Sequence, residues 1–129
     1  MADERVKILV IDDEISICRY FERILPPPDY TLVTAQTVRA GLDAAQDPEV
    51  QLILTDYNLD PSVPGMQWIQ RLRLQRDDIP LAVLSGSLDD TMITTCEELG
   101  VTHILPKPFT AREVTDTIKS MRASSPNES

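Results

Sequence analysis

A chain of 129 residues, 42% of them hydrophobic, is sized for one domain with its own core and leaves no room for a second. Its formal net charge of -9, from 21 acidic against 12 basic residues, speaks against direct binding to nucleic acid or an anionic membrane surface, both of which call for clustered lysine and arginine. No apolar run approaches the roughly 20 residues of a membrane span and the N-terminus is not a signal peptide. Cys18 and Cys96 have neither a CxxC spacing nor a neighbouring ligand set, so a cytoplasmic protein with two buried, reduced thiols is expected.

The first element is a strand over 7–11, where Ile8, Leu9, Val10 and Ile11 form an unbroken apolar run. Ile17, Phe21 and Ile24 then fall at i, i+4, i+7 and predict a helix that Pro26, Pro27 and Pro28 must stop. A second strand is expected over 31–35, followed by a helical stripe through Val38, Leu42 and Ala45. A third strand over 52–55 precedes a less regular stripe at Met66, Ile69 and Leu72, in which Trp68 reads as packing. The fourth strand, 81–84, leads into a stripe of Met92, Cys96 and Leu99 that ends at Gly100, where a left-handed residue belongs. A fifth strand over 103–105 is followed by Thr110 and Glu113, spaced as a capping box, and by the stripe Val114, Ile118 and Met121. Residues 1–123 are thus expected to form the domain and 124–129, without an apolar residue, a flexible tail.

Five alternations of strand and helix, with strands too continuously apolar to face water on either side, imply an α/β fold: a doubly wound parallel five-stranded sheet with helices on both faces. Ligands in such sheets bind beyond the carboxyl ends of the strands, where strand order reverses. Those ends carry Asp12, Asp13 and Glu14 after the first strand, Asp56 at the third, Ser85 and Gly86 after the fourth, and Lys107 and Pro108 after the fifth. In the order 2-1-3-4-5, Asp12, Asp13 and Asp56 converge. Three such carboxylates raise one another's pKa, and a hard divalent cation resolves the conflict; magnesium, which tolerates few carboxylates and keeps its waters, is the natural candidate. Lys107 and Ser85 complete a phosphate site as a cationic donor and a hydroxyl donor. Asp56 is then the best candidate for a carboxylate nucleophile toward phosphorus.

These residues together resemble the response-regulator receiver family over residues 5–123, through the acidic pair Asp12 and Asp13 after the first strand, Asp56 after Leu52-Ile53-Leu54-Thr55, Ser85 before Gly86, Gly100, and Lys107 before Pro108 and Phe109. The resemblance implies a flavodoxin-like (βα)5 fold that takes a phosphoryl group from a histidine kinase or histidine phosphotransfer protein onto Asp56. It also implies that Asp13 binds magnesium directly, Asp12 partly through water and Asn58 through its backbone carbonyl, with Ser85 as the switch hydroxyl and Lys107 on the phosphoryl group. Such a protein is a switch and not a metabolic enzyme; with no DNA-binding output domain expected in this chain, it would act as a monomer or weak dimer on an unidentified output partner. The family's Lys107-Pro108 bond is cis, and cis is expected here.

Three departures stand out. Residues 60–63 read as a four-residue insertion before Pro64 and Gly65, Trp68 stands where the family has a glycine, and Ile104 replaces the aromatic residue whose rotamer follows phosphorylation. His103, the only histidine, has no second imidazole nearby and is assigned no metal or phosphotransfer role. A haloacid-dehalogenase-like phosphatase would need a D-x-D nucleophile motif after the first strand, and a nucleotide-binding module would need a P-loop or GxGxxG; neither occurs.

Overall fold

The computed structural model describes residues 5–123, so the expected tail at 124–129 lies outside the described residues. The elements alternate throughout: β1 (Val6–Ile11), α1 (Ile15–Ile24), β2 (Tyr30–Ala35), α2 (Val38–Ala45), β3 (Leu52–Asp56), α3 (Gly65–Gln75), β4 (Leu81–Ser85), α4 (Asp90–Glu98), β5 (His103–Pro106) and α5 (Ala111–Ala123). All strands pair in parallel in the order β2-β1-β3-β4-β5. The register sets Ile8 opposite Leu52 and carries β3 one residue past β1, so that Asp56 pairs only with Leu84 of β4.

The unbroken apolar runs are explained by burial on both faces. Leu9, Ile11, Ile53 and Val83 point into one core with Trp68, Ile69, Leu72, Met92 and Cys96, contributed by α3 and α4. Ile8, Val10, Leu52, Leu54, Ala82 and Leu84 point into the other, against Phe21 of α1 and Val114, Ile118 and Met121 of α5. Period-two alternation therefore persists in direction although it is invisible in polarity. One stripe needs correction: Met66 is exposed, and α3 instead buries Gly65, Trp68, Ile69 and Leu72. The bulky indole of Trp68 takes the inward place that the apolar count gave to Met66.

Helix ends are secured by side chains. Thr37 and Asp89 accept amides of Ala40 and Met92, and Thr110 and Glu113 form the reciprocal capping box at α5. Gly100, at φ 76°, ends α4 in the left-handed region. Two arginines of the α3 end collect orphan carbonyls from their neighbours: Arg73 donates to Leu99, Gly100 and Ile79, and Arg76 to Ala45, Asp47 and Val50. α3 is thereby tied to the carboxyl ends of both α2 and α4.

The chain between β3 and α3 is compact. Residues 60–63 form a tight turn in which Asp60 accepts the amide and hydroxyl of Ser62 while its carbonyl accepts the amide of Val63. Leu59 is buried beneath it. Gly65 then lies flat under the ring of Tyr57, leaving no space for a β-carbon. Gly65→Ala is expected to lower unfolding free energy by about 1–3 kcal/mol, the usual cost of forcing atoms into a filled site. Urea denaturation checks this, and in a Tyr57→Ala background the penalty should shrink, since the clash is with that ring.

Candidate functional site

β1 and β3 lie side by side in the middle of the sheet, and α1 and α3 leave its carboxyl edge on opposite faces. The topology therefore brings the residues at both strand ends to one cleft. Asp12, Asp13 and Asp56 each offer an oxygen within 4.8 Å of the others. Asp12 and Asp56 are buried, whereas Asp13 is exposed at the mouth. The Oδ1 of Asp12 accepts the amide of Glu14 at 2.9 Å, which fixes the carboxylate as the chain turns into α1.

Lys107 reaches in from the loop after β5. Its Nζ lies 2.9 Å from Asp12 Oδ2, 3.2 Å from Glu14 Oε1 and 3.6 Å from Asp56 Oδ1. The main chain aims it: the Lys107 amide donates to the Ser85 carbonyl at 2.7 Å, and the Lys107-Pro108 bond is cis as the sequence led us to expect. Ser85, fully buried at the end of β4, donates its hydroxyl to the Ser87 carbonyl at 2.8 Å and accepts the Ser87 amide. Ile104 is half-buried, paired with Val83, and packed on the α3 and α4 side of the sheet.

The charges do not balance. Asp12, Asp13, Glu14 and Asp56 face a single ammonium. The carboxyl of Asp56 is pushed from its ordinary 3.8 up to about 6, first by burial and then by the charge of Asp12; Lys107 and the Asn58 amide oppose this without overcoming it. Asp12 is also raised, chiefly by burial. Burial works to lower the pKa of Lys107, but Asp12, Asp56 and Glu14 more than offset it, so the ammonium is held charged. Asp12 Oδ2 is fully buried, and its one partner is the Lys107 ammonium at 2.9 Å. Three carboxylates within 4.8 Å, two of them buried and opposed by a single ammonium, fit a hard divalent cation such as magnesium.

Most of the sequence-predicted site residues meet here: Asp12, Asp13, Asp56 and Lys107 converge, and Ser85 joins them through its carbonyl on the Lys107 amide. Asn58 is exposed just beyond Asp56, and its amide bears on the Asp56 carboxylate. His103 lies apart, its ring nitrogens against the hydroxyls of Thr102 and Ser120. Sequence reading gave Glu14 no role, although it is one of the three partners of Lys107. Its place in the acidic run after β1 was the available signal.

The response regulator receiver domain model matches residues 8–119. The alkaline phosphatase synthesis transcriptional regulatory protein PhoP of Bacillus subtilis (strain 168) is 31% identical over 115 residues, covering 89% of this chain and 48% of that protein. The probable transcriptional regulator ycf27 of Cyanophora paradoxa is 35% identical over 121 residues, covering 94% and 50%. This chain thus spans about half the length of the curated relatives it matches. A CheY-like response regulator receiver domain protein from Methanospirillum hungatei JF-1 superposes with a TM-score of 0.86 at 21% identity, over 96% of this chain and 98% of that one, and shares the fold. The Vibrio cholerae chemotaxis protein CheY4 gives a TM-score of 0.81 at 26% identity, over 91% and 98%.

The raised Asp56 pKa has a definite sign in stability. A carboxyl that binds its proton more tightly folded than unfolded contributes fully below pH 3.8, and that contribution is lost as pH rises through about 6. In chelator, the stability of Asp56→Asn relative to the parent protein should therefore rise over this interval and level off above it. Urea midpoints taken across pH measure the difference, and magnesium should reduce it by stabilising the ionised parent.

Proposed function

The chain belongs to the response-regulator receiver family, and on that premise we propose that it accepts a phosphoryl group from a phosphohistidine onto Asp56. The observation that carries this reading is the convergence of Asp12, Asp13 and Asp56 within 4.8 Å, with the Lys107 ammonium 3.6 Å from Asp56 Oδ1. An ionised Asp56 oxygen attacks phosphorus in line as the bond to the donor imidazole breaks, leaving an aspartyl phosphate. Lys107 stays protonated, held so by its carboxylates, and offers its charge to the phosphoryl oxygens. Asp12, Asp13, Asp56 and the Asn58 carbonyl would hold magnesium, which supplies neutralisation of charge on the transferring group. The buried walls around Asp12 and Asp56 keep these interactions strong by excluding water.

Ser85 couples the pocket to the rest of the molecule. Its hydroxyl proton is committed to the Ser87 carbonyl, so donating instead to a phosphoryl oxygen releases the loop that leads to α4. With Ile104 in place of an aromatic ring, little side-chain area is available to follow the hydroxyl, and a small population shift centred on this loop and α4 results. The protein acts as a two-component signalling switch in the cytoplasm, with a histidine kinase or histidine phosphotransfer protein as donor and an output protein recognised by association, as a monomer or weak dimer. Residues 1–123 serve as the receiver domain. No helix among the described residues is long and apolar enough to cross a membrane.

Incubation with acetyl phosphate and magnesium should add the mass of one phosphoryl group, read by intact-mass spectrometry. Asp56→Asn should add none, chelator should suppress the reaction, and Lys107→Ala should slow it about 10²-fold, as for loss of one charge-stabilising donor. An unmodified parent protein overturns the reading.

Beryllofluoride with magnesium should shift NMR resonances through residues 85–99. Perturbation confined to the cleft would mean that phosphorylation does not reach α4 and that the protein serves as a phosphate relay.

A further inference from the structure

Among the described residues, four polar or charged side chains are buried: Asp12, Thr55, Asp56 and Ser85. Asp12, Asp56 and Ser85 stand among the strand-end residues already described, and Thr55 has no part in that description. It precedes Asp56 on β3, and its hydroxyl sits in the middle of a buried chain of hydrogen bonds. The indole Nε1 of Trp68 donates to Thr55 Oγ1 at 2.9 Å, and Thr55 Oγ1 donates to the main-chain carbonyl of Asp56 at 3.1 Å. That carbonyl lies at the last position of β3, where pairing with β1 has already ended at Thr55.

The far end of this chain is held firmly. Trp68 is fully buried in α3, and both its Cη2 edge and the side chain of Ile11 close the space above Gly41, at 3.1 and 3.0 Å from where a β-carbon would stand. Ile11 directly precedes Asp12. A rigid indole wedged between α2 and β1 thus grips the end of β3 through one hydroxyl, while neither Trp68 nor Thr55 reaches the carboxylates.

We propose that Trp68 and Thr55 are positioning residues for the phosphoacceptor: their two buried hydrogen bonds tie the main chain of Asp56 to α3 and set the orientation from which its carboxylate takes up the phosphoryl group. The inference rests on the phosphoacceptor reading of Asp56. Its physical basis is that in-line transfer demands near-contact alignment, so a small rotation of the Asp56 backbone, with every cleft side chain still present, slows the reaction. Thr55→Val removes both bonds. Trp68→Phe removes one and leaves the hydroxyl free to hold Asp56. Thr55→Ser retains both.

The test measures phosphorylation rate with saturating acetyl phosphate and magnesium, well below each variant's unfolding temperature, alongside magnesium affinity. With magnesium saturating for each variant, Thr55→Val should fall on the order of tenfold in rate, Trp68→Phe by less, and Thr55→Ser should stay within about twofold of the parent. Because Trp68 is the only tryptophan, its indole proton gives one NMR signal, which beryllofluoride should shift in the parent protein. Parent-like rates in Thr55→Val and Trp68→Phe, with only the unfolding temperature lowered, overturn the inference. Should Thr55→Val not fold, an indole signal unmoved by beryllofluoride together with a parent-like rate in Trp68→Phe overturns it equally. A parent protein that takes no phosphoryl group, like Asp56→Asn, instead fails the phosphoacceptor reading and the inference with it.

Discussion

Everything distinctive about this molecule follows from an excess of negative charge held at the carboxyl edge of a buried sheet. Asp12 and Asp56 are carried below the surface by two central strands, and Asp13 and Glu14 add charge at the rim. Only Lys107 opposes them among the groups in contact. A cluster of this kind is costly: burial pushes the carboxyls of both Asp56 and Asp12 toward their protonated forms. Such frustration suits a site for a divalent cation, which would supply the positive charge that Lys107 alone does not.

The remainder of the fold acts as the frame that makes this arrangement tolerable. Two cores clamp the sheet from both faces, so the strand ends cannot spread apart to relieve repulsion. Arg73 and Arg76 lock α3 to the carboxyl ends of α4 and α2, at the edge of the sheet away from the cleft. The amino end of α4 is held by the Asp89 cap, by the buried side chain of Met92 and by the Ser85 to Ser87 loop. The switching proposed above would begin at this end, beside Ser85.

The indole of Trp68 illustrates how packing and chemistry share one side chain. Its ring fills the core between α2, α3 and β1, while its single polar atom finds a buried acceptor next to Asp56. Sequence reading took Trp68 as packing, and it is. The hydrogen bond to Thr55 joins residues 13 apart in the chain and belongs to no local pattern.

The amino-acid sequence by itself determined the order of the elements, the parallel sheet and which side chains stand at the strand ends, because these rest on local signals: apolar runs, helical spacing, prolines, a left-handed glycine and a capping box. It placed Asp12, Asp13, Asp56, Ser85 and Lys107 at the correct edge because strand ends are local too. Strand limits moved by about one residue, as Asp56 and Ser85 proved to be the last members of their ladders. What only the tertiary structure decided were the distances and the partners: that Lys107 rests on Asp12 and Glu14 as well as near Asp56, that Ser85 spends its proton on Ser87, that Met66 faces outward and Trp68 inward. These depend on which side chains far apart in the chain meet in three dimensions and on how deeply each is buried. Burial sets the dielectric and hence the charge state, and no spacing along a sequence carries it.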